Sequence, residues 1–168
     1  MNTKTFARVA MIAAVYTVVS LFLAPFSFSN IQVRIAEALT LLPLIYRPSI
    51  VGLTVGCFLT NLIGAMTGVN PTGMIDAVIG TAATLLAAIC TYKLRDRKFK
   101  GIPVLAILMP VIFNFVFVGA ELGYLFFPDN VIMGSLICGA EVAVGELISV
   151  FVGWFLIQAL SKTTIFEE

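Results

Sequence analysis

Six times along this chain a run of apolar residues approaches the roughly 20 residues an α-helix needs to cross a hydrocarbon core about 30 Å thick. Between the runs stand prolines, small polar clusters and most of the charges. Composition shows what solvent such a chain requires. Charged residues make up 11% of it, under half the usual share of about 25%. At 168 residues, 60% of them apolar, the chain is too short to hide that surface in a water-soluble core. Lipid is the expected solvent for most of its exterior, and helices that satisfy their own backbone are the expected elements. The reading is an all-α integral membrane protein, with residues 1–168 forming one transmembrane domain.

The breaks place six helices at about 5–24, 31–47, 49–66, 71–94, 102–127 and 131–160. The first stops at Pro25 and the turn Ser27 to Asn30. The second ends at Tyr46-Arg47-Pro48, with Pro43 expected to kink it. It is the shortest, and a hairpin of helices two and three that only partly spans is the alternative. Pro71 is placed to open the fourth helix, Pro110 to bend the fifth, and Pro128-Asp129-Asn130 is the last turn. The first run, Val9 to Ala24, follows Lys4 and Arg8 but is longer than a signal-peptide h-region, so it is expected to be retained.

Nine of the ten basic residues fall on one side of a six-crossing path: Lys4, Arg8, Arg47, the loop Lys93 to Lys100, and Lys162. Positive charge marks the cytoplasmic side, so both termini are expected in the cytoplasm of a multi-pass cell (plasma) membrane protein. The tenth, Arg34, lies near the outer start of helix two.

Several chemistries are excluded. With no histidine, imidazole ligands and Ser–His or Cys–His pairs are absent. Cys57, Cys90 and Cys138 sit in separate apolar runs and read as small core residues. No metal cluster and no cofactor are expected. A net charge of +1 is no nucleic-acid footprint. Without a G-x-x-x-x-G-K-[ST] loop the chain cannot hydrolyse ATP alone.

Small residues recurring every four positions mark helix seams in lipid. Helix three carries Gly52, Gly56, Thr60 and Gly64; helix four Gly80, Thr84 and Ala88; helix six Gly145, Ser149 and Gly153. Helix one carries Ala7, Ala10 and Ala14, either as another internal seam or as a docking face for a second membrane subunit.

Polar residues at bilayer depth cost several kcal/mol, roughly 2.5–3.5 for a charge on insertion scales. They persist where they face an interior or a cavity. Here they are Arg34, Glu37, Asn61, Asp76, Asn114, Glu121, Tyr124, Glu141 and Glu146. All but Glu146 fall in the outer-to-middle depth of five helices, which points to a ligand chamber opening outward. Arg34 with Glu37 also reads as a structural ion pair, Asp76 as a helix N-terminal charge, and Asn61 and Asn114 as plain interhelical hydrogen bonds. Five carboxylates against one guanidinium disfavour an anionic ligand. A cation, or a neutral heterocycle rich in N–H donors, fits better.

Three stretches carry a family likeness: Ile31 to Pro43 (IQVRIAEALTLLP), Gly56 to Leu62 (GCFLTNL) and Ala82 to Ala88 (AATLLAA). With Phe113-Asn114, Glu121 to Tyr124 (ELGY) and Gly145 to Leu147, they resemble the QueT family, and the resemblance covers nearly the whole chain. That family comprises substrate-binding S components of energy-coupling factor (ECF) transporters, assigned to queuosine precursors.

The resemblance implies a six-helix protein that is not an enzyme. It implies capture of a deazaguanine such as queuine near the outer face. It further implies association with a transmembrane coupling subunit and two ATPase subunits, with Ala10 and Ala14 matching the alanine face that contacts the coupling subunit. The ligand-binding set expected on these grounds is Arg34, Glu37, Asn61, Asp76, Asn114, Glu121, Tyr124 and Glu141. The alternatives are an S component for another vitamin or nucleobase, or a membrane enzyme or assembly protein.

Overall fold

The computed structural model describes residues 2–23 and 34–166. The expected turn from Pro25 to Asn30, the last residue of helix one and the first three of helix two lie outside the described residues. Within them are six helical elements and no strand. In chain order they are α1 (Thr3–Phe22), α2 (Ile35–Leu44), α3 (Ser49–Thr67), α4 (Met74–Leu94), α5 (Val104–Phe126) and α6 (Val131–Leu160). Five of them, all but α2, are long and apolar enough to cross a membrane.

Within the described residues the second element is shorter than the helix expected over 31–47. It is a 3-10 helix of only ten residues, which at about 2.0 Å per residue rises roughly 20 Å. That falls short of a ~30 Å core. In a 3-10 helix residues three apart eclipse one another, so Glu37, Thr40 and Pro43 stack on one face, and all three are buried. Hydroxyls reinforce its first turn. Thr40 Oγ1 donates to the Glu37 carbonyl at 2.5 Å, and Ser149 Oγ of α6 donates to the Arg34 carbonyl at 3.0 Å.

Around α2 the long helices form an arc in which α1 packs on α3, α3 on α4, α4 on α5 and α5 on α6. The short helix touches all five and bridges the ends of the arc. It is therefore the axis of the bundle. Its Leu41 and Leu42 join Ile12, Tyr16, Leu53, Cys57, Val111 and Val150 in the main apolar core. A second cluster, Val118, Leu122, Cys138 and Val142, lies between α5 and α6.

The small-residue seams are where the spacing predicts them. A Cβ on Gly52 would stand 2.8 Å from the Val9 carbonyl oxygen, and one on Gly56 3.0 Å from that of Ala13, so α1 and α3 meet backbone to backbone. Gly119 and Gly139 do the same for α5 and α6, and Gly153 lets α6 close on Ala38 of α2. Cys57 and Cys138 are buried free thiols, while Cys90 is half-buried.

The turn between α3 and α4 departs from expectation at its boundaries. α3 ends on Gly68 with φ of 73°, the left-handed cap that glycine adopts without strain. α4 opens at Met74 rather than Pro71. Asn70 holds residues 70–73 in a turn by accepting, at Oδ1, the Thr72 backbone N–H at 3.1 Å and the Thr72 hydroxyl at 2.7 Å.

The basic groups gather at one end of the bundle. The Arg8 guanidinium lies 5.9 Å from the Tyr46 ring centre. Arg47 and Arg95 lie 5.5 and 3.9 Å from that of Tyr92. Phe166 stacks obliquely on Tyr46 at 4.9 Å. The start of α1, the end of α2, the end of α4 and the tail of the chain thus share this end.

Replacing Gly153 with alanine tests the seam between α6 and α2, because the new Cβ would stand 2.5 Å from the Ala38 carbonyl oxygen. A loss of about 1–3 kcal/mol is expected for such overpacking, read as a lower Tm in detergent. An unchanged Tm would show that α6 does not rest on α2.

Candidate functional site

At the end of the bundle opposite the basic groups, Arg34 caps α2 and points its guanidinium at α4. Its Nη2 lies 2.8 Å from Asp76 Oδ2, with both side chains buried. Asp76 stands in the first turn of α4, where the helix N-terminus also favours a carboxylate. The same Oδ2 accepts a hydrogen bond from Asn70 Nδ2 at 2.9 Å. Asn61 of α3 donates to the Asp76 carbonyl at 3.0 Å. Gly80 makes this packing possible, since a Cβ there would run into the Asp76 carboxylate and the Asn61 amide.

A second arm of the site runs inward along α2. The buried carboxyl group of Glu37 accepts a hydrogen bond at Oε1 from the Tyr16 hydroxyl of α1. Across the bundle Asn114 of α5 donates from Nδ2 to Glu146 Oε1 of α6 at 2.8 Å. Glu121 completes the set from α5. It is 3% exposed and lies beside Thr72. Arg34 is the hub: Asp76, Glu37, Glu121 and Glu146 all lie within its electrostatic reach. Arg34 also interacts beyond these groups.

What the protein does not satisfy is more informative than what it does. On the residues of this site, the buried oxygens without a hydrogen-bond donor among the described residues are Glu37 Oε2, Asn61 Oδ1, Asp76 Oδ1, Glu146 Oε2 and both carboxyl oxygens of Glu121. An unsatisfied buried acceptor costs about 1–3 kcal/mol, and native interiors hold few of them. Six of them stand on the residues around one guanidinium, each an acceptor open to a hydrogen-bond donor. Glu121 also reaches a groove of about 560 Å³ between α4 and α5, whose walls are otherwise Ile75, Ile79, Val116, Phe117, Ala120 and Tyr124.

Residues 6–162 match the family described as QueT transporter. The chain belongs to that family. Neither a curated protein nor a solved structure matches it.

As a QueT-family member, the chain is a membrane transport protein, and its structure sorts the residues expected to bind ligand. Arg34, Glu37, Asn61, Asp76 and Glu121 come together as the spacing predicts, and Asn114 joins them through Glu146. The pairing differs from expectation in one respect: the hydrogen-bonded partner of Arg34 is Asp76 of α4, not Glu37 one turn along the same helix. Tyr124 stands outside the buried group, 70% exposed on the outer wall of the groove. Glu141 is half-buried and makes no hydrogen bond among the described residues.

Sequence reasoning named Glu146 among the buried polar residues but left it out of the ligand-binding set, and it missed Tyr16, Asn70 and Thr72. Glu146 was legible. At ~1.5 Å per residue it lies about 22 Å from the start of α6, and Asn114 about 18 Å from the end of the antiparallel α5, so the two share a depth. Tyr16 was legible as a hydroxyl at mid-span. Asn70 and Thr72 carry no comparable signal, because a polar turn residue is the ordinary case.

Removing the charge of Asp76 tests the hub. Asp76→Asn leaves the Arg34 guanidinium buried with its principal anion gone, and a loss of about 3–5 kcal/mol in unfolding free energy is expected. Chemical denaturation in detergent checks this. A loss below about 1 kcal/mol would show that the pair is dispensable.

Proposed function

We propose that this QueT-family protein is the substrate-binding S component of an ECF importer and that it captures a queuosine precursor, a deazaguanine such as queuine, from outside the cell. The observation that carries this reading is the set of buried acceptor oxygens around Arg34. A guanine-like edge offers adjacent N–H donors that a carboxylate accepts in pairs, and Glu37, Asp76 and Glu121 each present an oxygen with no donor among the described residues. Arg34 and the Asn114 amide supply donors for a ring carbonyl. Glu121, set between the buried group and the α4–α5 groove, suits an ammonium substituent on the ligand. Glu141 and Tyr124 belong to the rim of this site.

The orientation follows from charge. The basic end faces the cytoplasm of the plasma membrane by the positive-inside rule, which places both termini inside and opens the Arg34 site outward. Transport then needs help from partners. Ala7, Ala10 and Ala14 are all exposed on α1, beside Met11 and Val15, so they are not an internal seam. Small residues on a lipid-facing stripe allow close approach of another helix, and this stripe is the docking face for the coupling subunit. Two ATPase subunits supply the energy.

Thermal stability with ligand tests the substrate. At a hundredfold excess over Kd, queuine is expected to add about 2.7 kcal/mol and raise the Tm. Riboflavin, folate and biotin are expected to leave it unchanged. In Glu121→Gln the rise is expected to fall by at least half while the unliganded Tm holds. No rise with any deazaguanine would remove this reading.

The docking face has its own test. Ala10→Trp with Ala14→Trp is expected to leave queuine binding intact and to abolish uptake by cells carrying the ATPase module. Undiminished uptake would return the stripe to ordinary lipid contact.

A further inference from the structure

The basic end holds a second charged cavity, distant from the Arg34 site. The turn between α2 and α3 and the last turn of α4 enclose about 780 Å³ lined by Tyr46, Arg47, Tyr92 and Arg95, with Ile50 and Val51 of α3 on one side. Two guanidinium groups from different elements converge on one ring there, Arg47 at 5.5 Å and Arg95 at 3.9 Å from the Tyr92 centre. Arg8 stands over the neighbouring Tyr46 ring at 5.9 Å. Tyrosine faces attract cations but carry no net charge, so the Tyr92 ring does not neutralise Arg47 and Arg95.

Its hydrogen-bonding capacity is also largely unspent. The Arg47 guanidinium donates to no group among the described residues. Arg95 donates from Nη1 to the Tyr92 carbonyl at 2.8 Å, and its Nη2 lies 3.5 Å from Asp96 Oδ2, a side chain 79% exposed. That carboxylate is the one acidic group at the cavity's edge among the described residues. The Tyr46 hydroxyl is buried without a hydrogen-bond partner among the described residues. Planar guanidinium forks match phosphate oxygens in pairs, and positive charge beside a membrane attracts anionic lipid.

We propose that this cavity binds a phosphate-bearing anion, held between Arg47 and Arg95. The exposed Val51 and half-buried Ile50 lead from it to the lipid-facing side of α3, the path an acyl chain takes when the phosphate belongs to a lipid headgroup. The site is separate from the transported ligand and is occupied with or without it.

The test uses the full chain in nanodiscs of dioleoylphosphatidylcholine, with and without dioleoylphosphatidylglycerol, and with glycerol 3-phosphate added to the zwitterionic discs. The Tm is expected to rise in the discs containing phosphatidylglycerol, and Arg47→Gln with Arg95→Gln is expected to remove at least half of that rise. A rise with glycerol 3-phosphate alone, lost in the same double variant, would support the site and make its source soluble. If the double variant does not fold, Arg47→Lys and Arg95→Lys serve singly. They keep the charge but lose the fork, and each is expected to reduce the rise. The proposal is overturned if neither phosphate compound raises the Tm, or if the rise survives these substitutions in full.

Discussion

A guanidinium and a carboxylate 2.8 Å apart inside an apolar bundle set the terms for the rest of this molecule. Alone, either charge at that depth would cost several kcal/mol. Together they are tolerable, and only in one arrangement: the start of α2 must lie against the first turn of α4. Asn70 and Asn61 hold the carboxylate of Asp76 from the turn before α4 and from α3. Three elements are thereby tied at the end of the bundle where Arg34 emerges.

The short α2 follows from that tie. Its ten residues run down the axis from Arg34 to the basic end, touching every long helix. An element with most of its residues buried must find room for its backbone, and the glycines of its neighbours provide it. Gly153 admits the Ala38 carbonyl, and Gly52 and Gly56 draw α1 onto α3 beside it. With no hydrophobic force between helices in lipid, such close packing and buried hydrogen bonds are what remain to specify the fold. The same axis carries Arg34 and Glu37 into the interior, so the element that organises the bundle also supplies the centre of the site.

Much of this was legible along the chain. The five long helices lie within a few residues of the runs that predict them, because length and apolarity suffice for a lipid-embedded helix. The glycine seams of α3 and α6 were legible for the same reason, since few other causes place glycine every four residues. The winding of α2 was not. Over ten mostly apolar residues a period of 3.0 cannot be told from 3.6, and the spacing of Arg34 and Glu37 suits both. Nor could spacing show which carboxylate Arg34 would choose, because Glu37 is near in sequence and Asp76 only in space. Tyr124 and Glu141 share a helix with buried site residues, yet small rotations about α5 and α6 leave one exposed and the other half-buried.

The central claim is that acceptor oxygens from α2, α3, α4 and α5, gathered about Arg34, are completed by the donors of a small planar ligand. A structure determined with queuine bound tests it most directly. The expected result is ligand density within hydrogen-bonding distance of Glu37 Oε2, Asp76 Oδ1 and the Glu121 carboxyl group. Ligand density elsewhere, with those oxygens paired only to the protein's own side chains, would contradict the account.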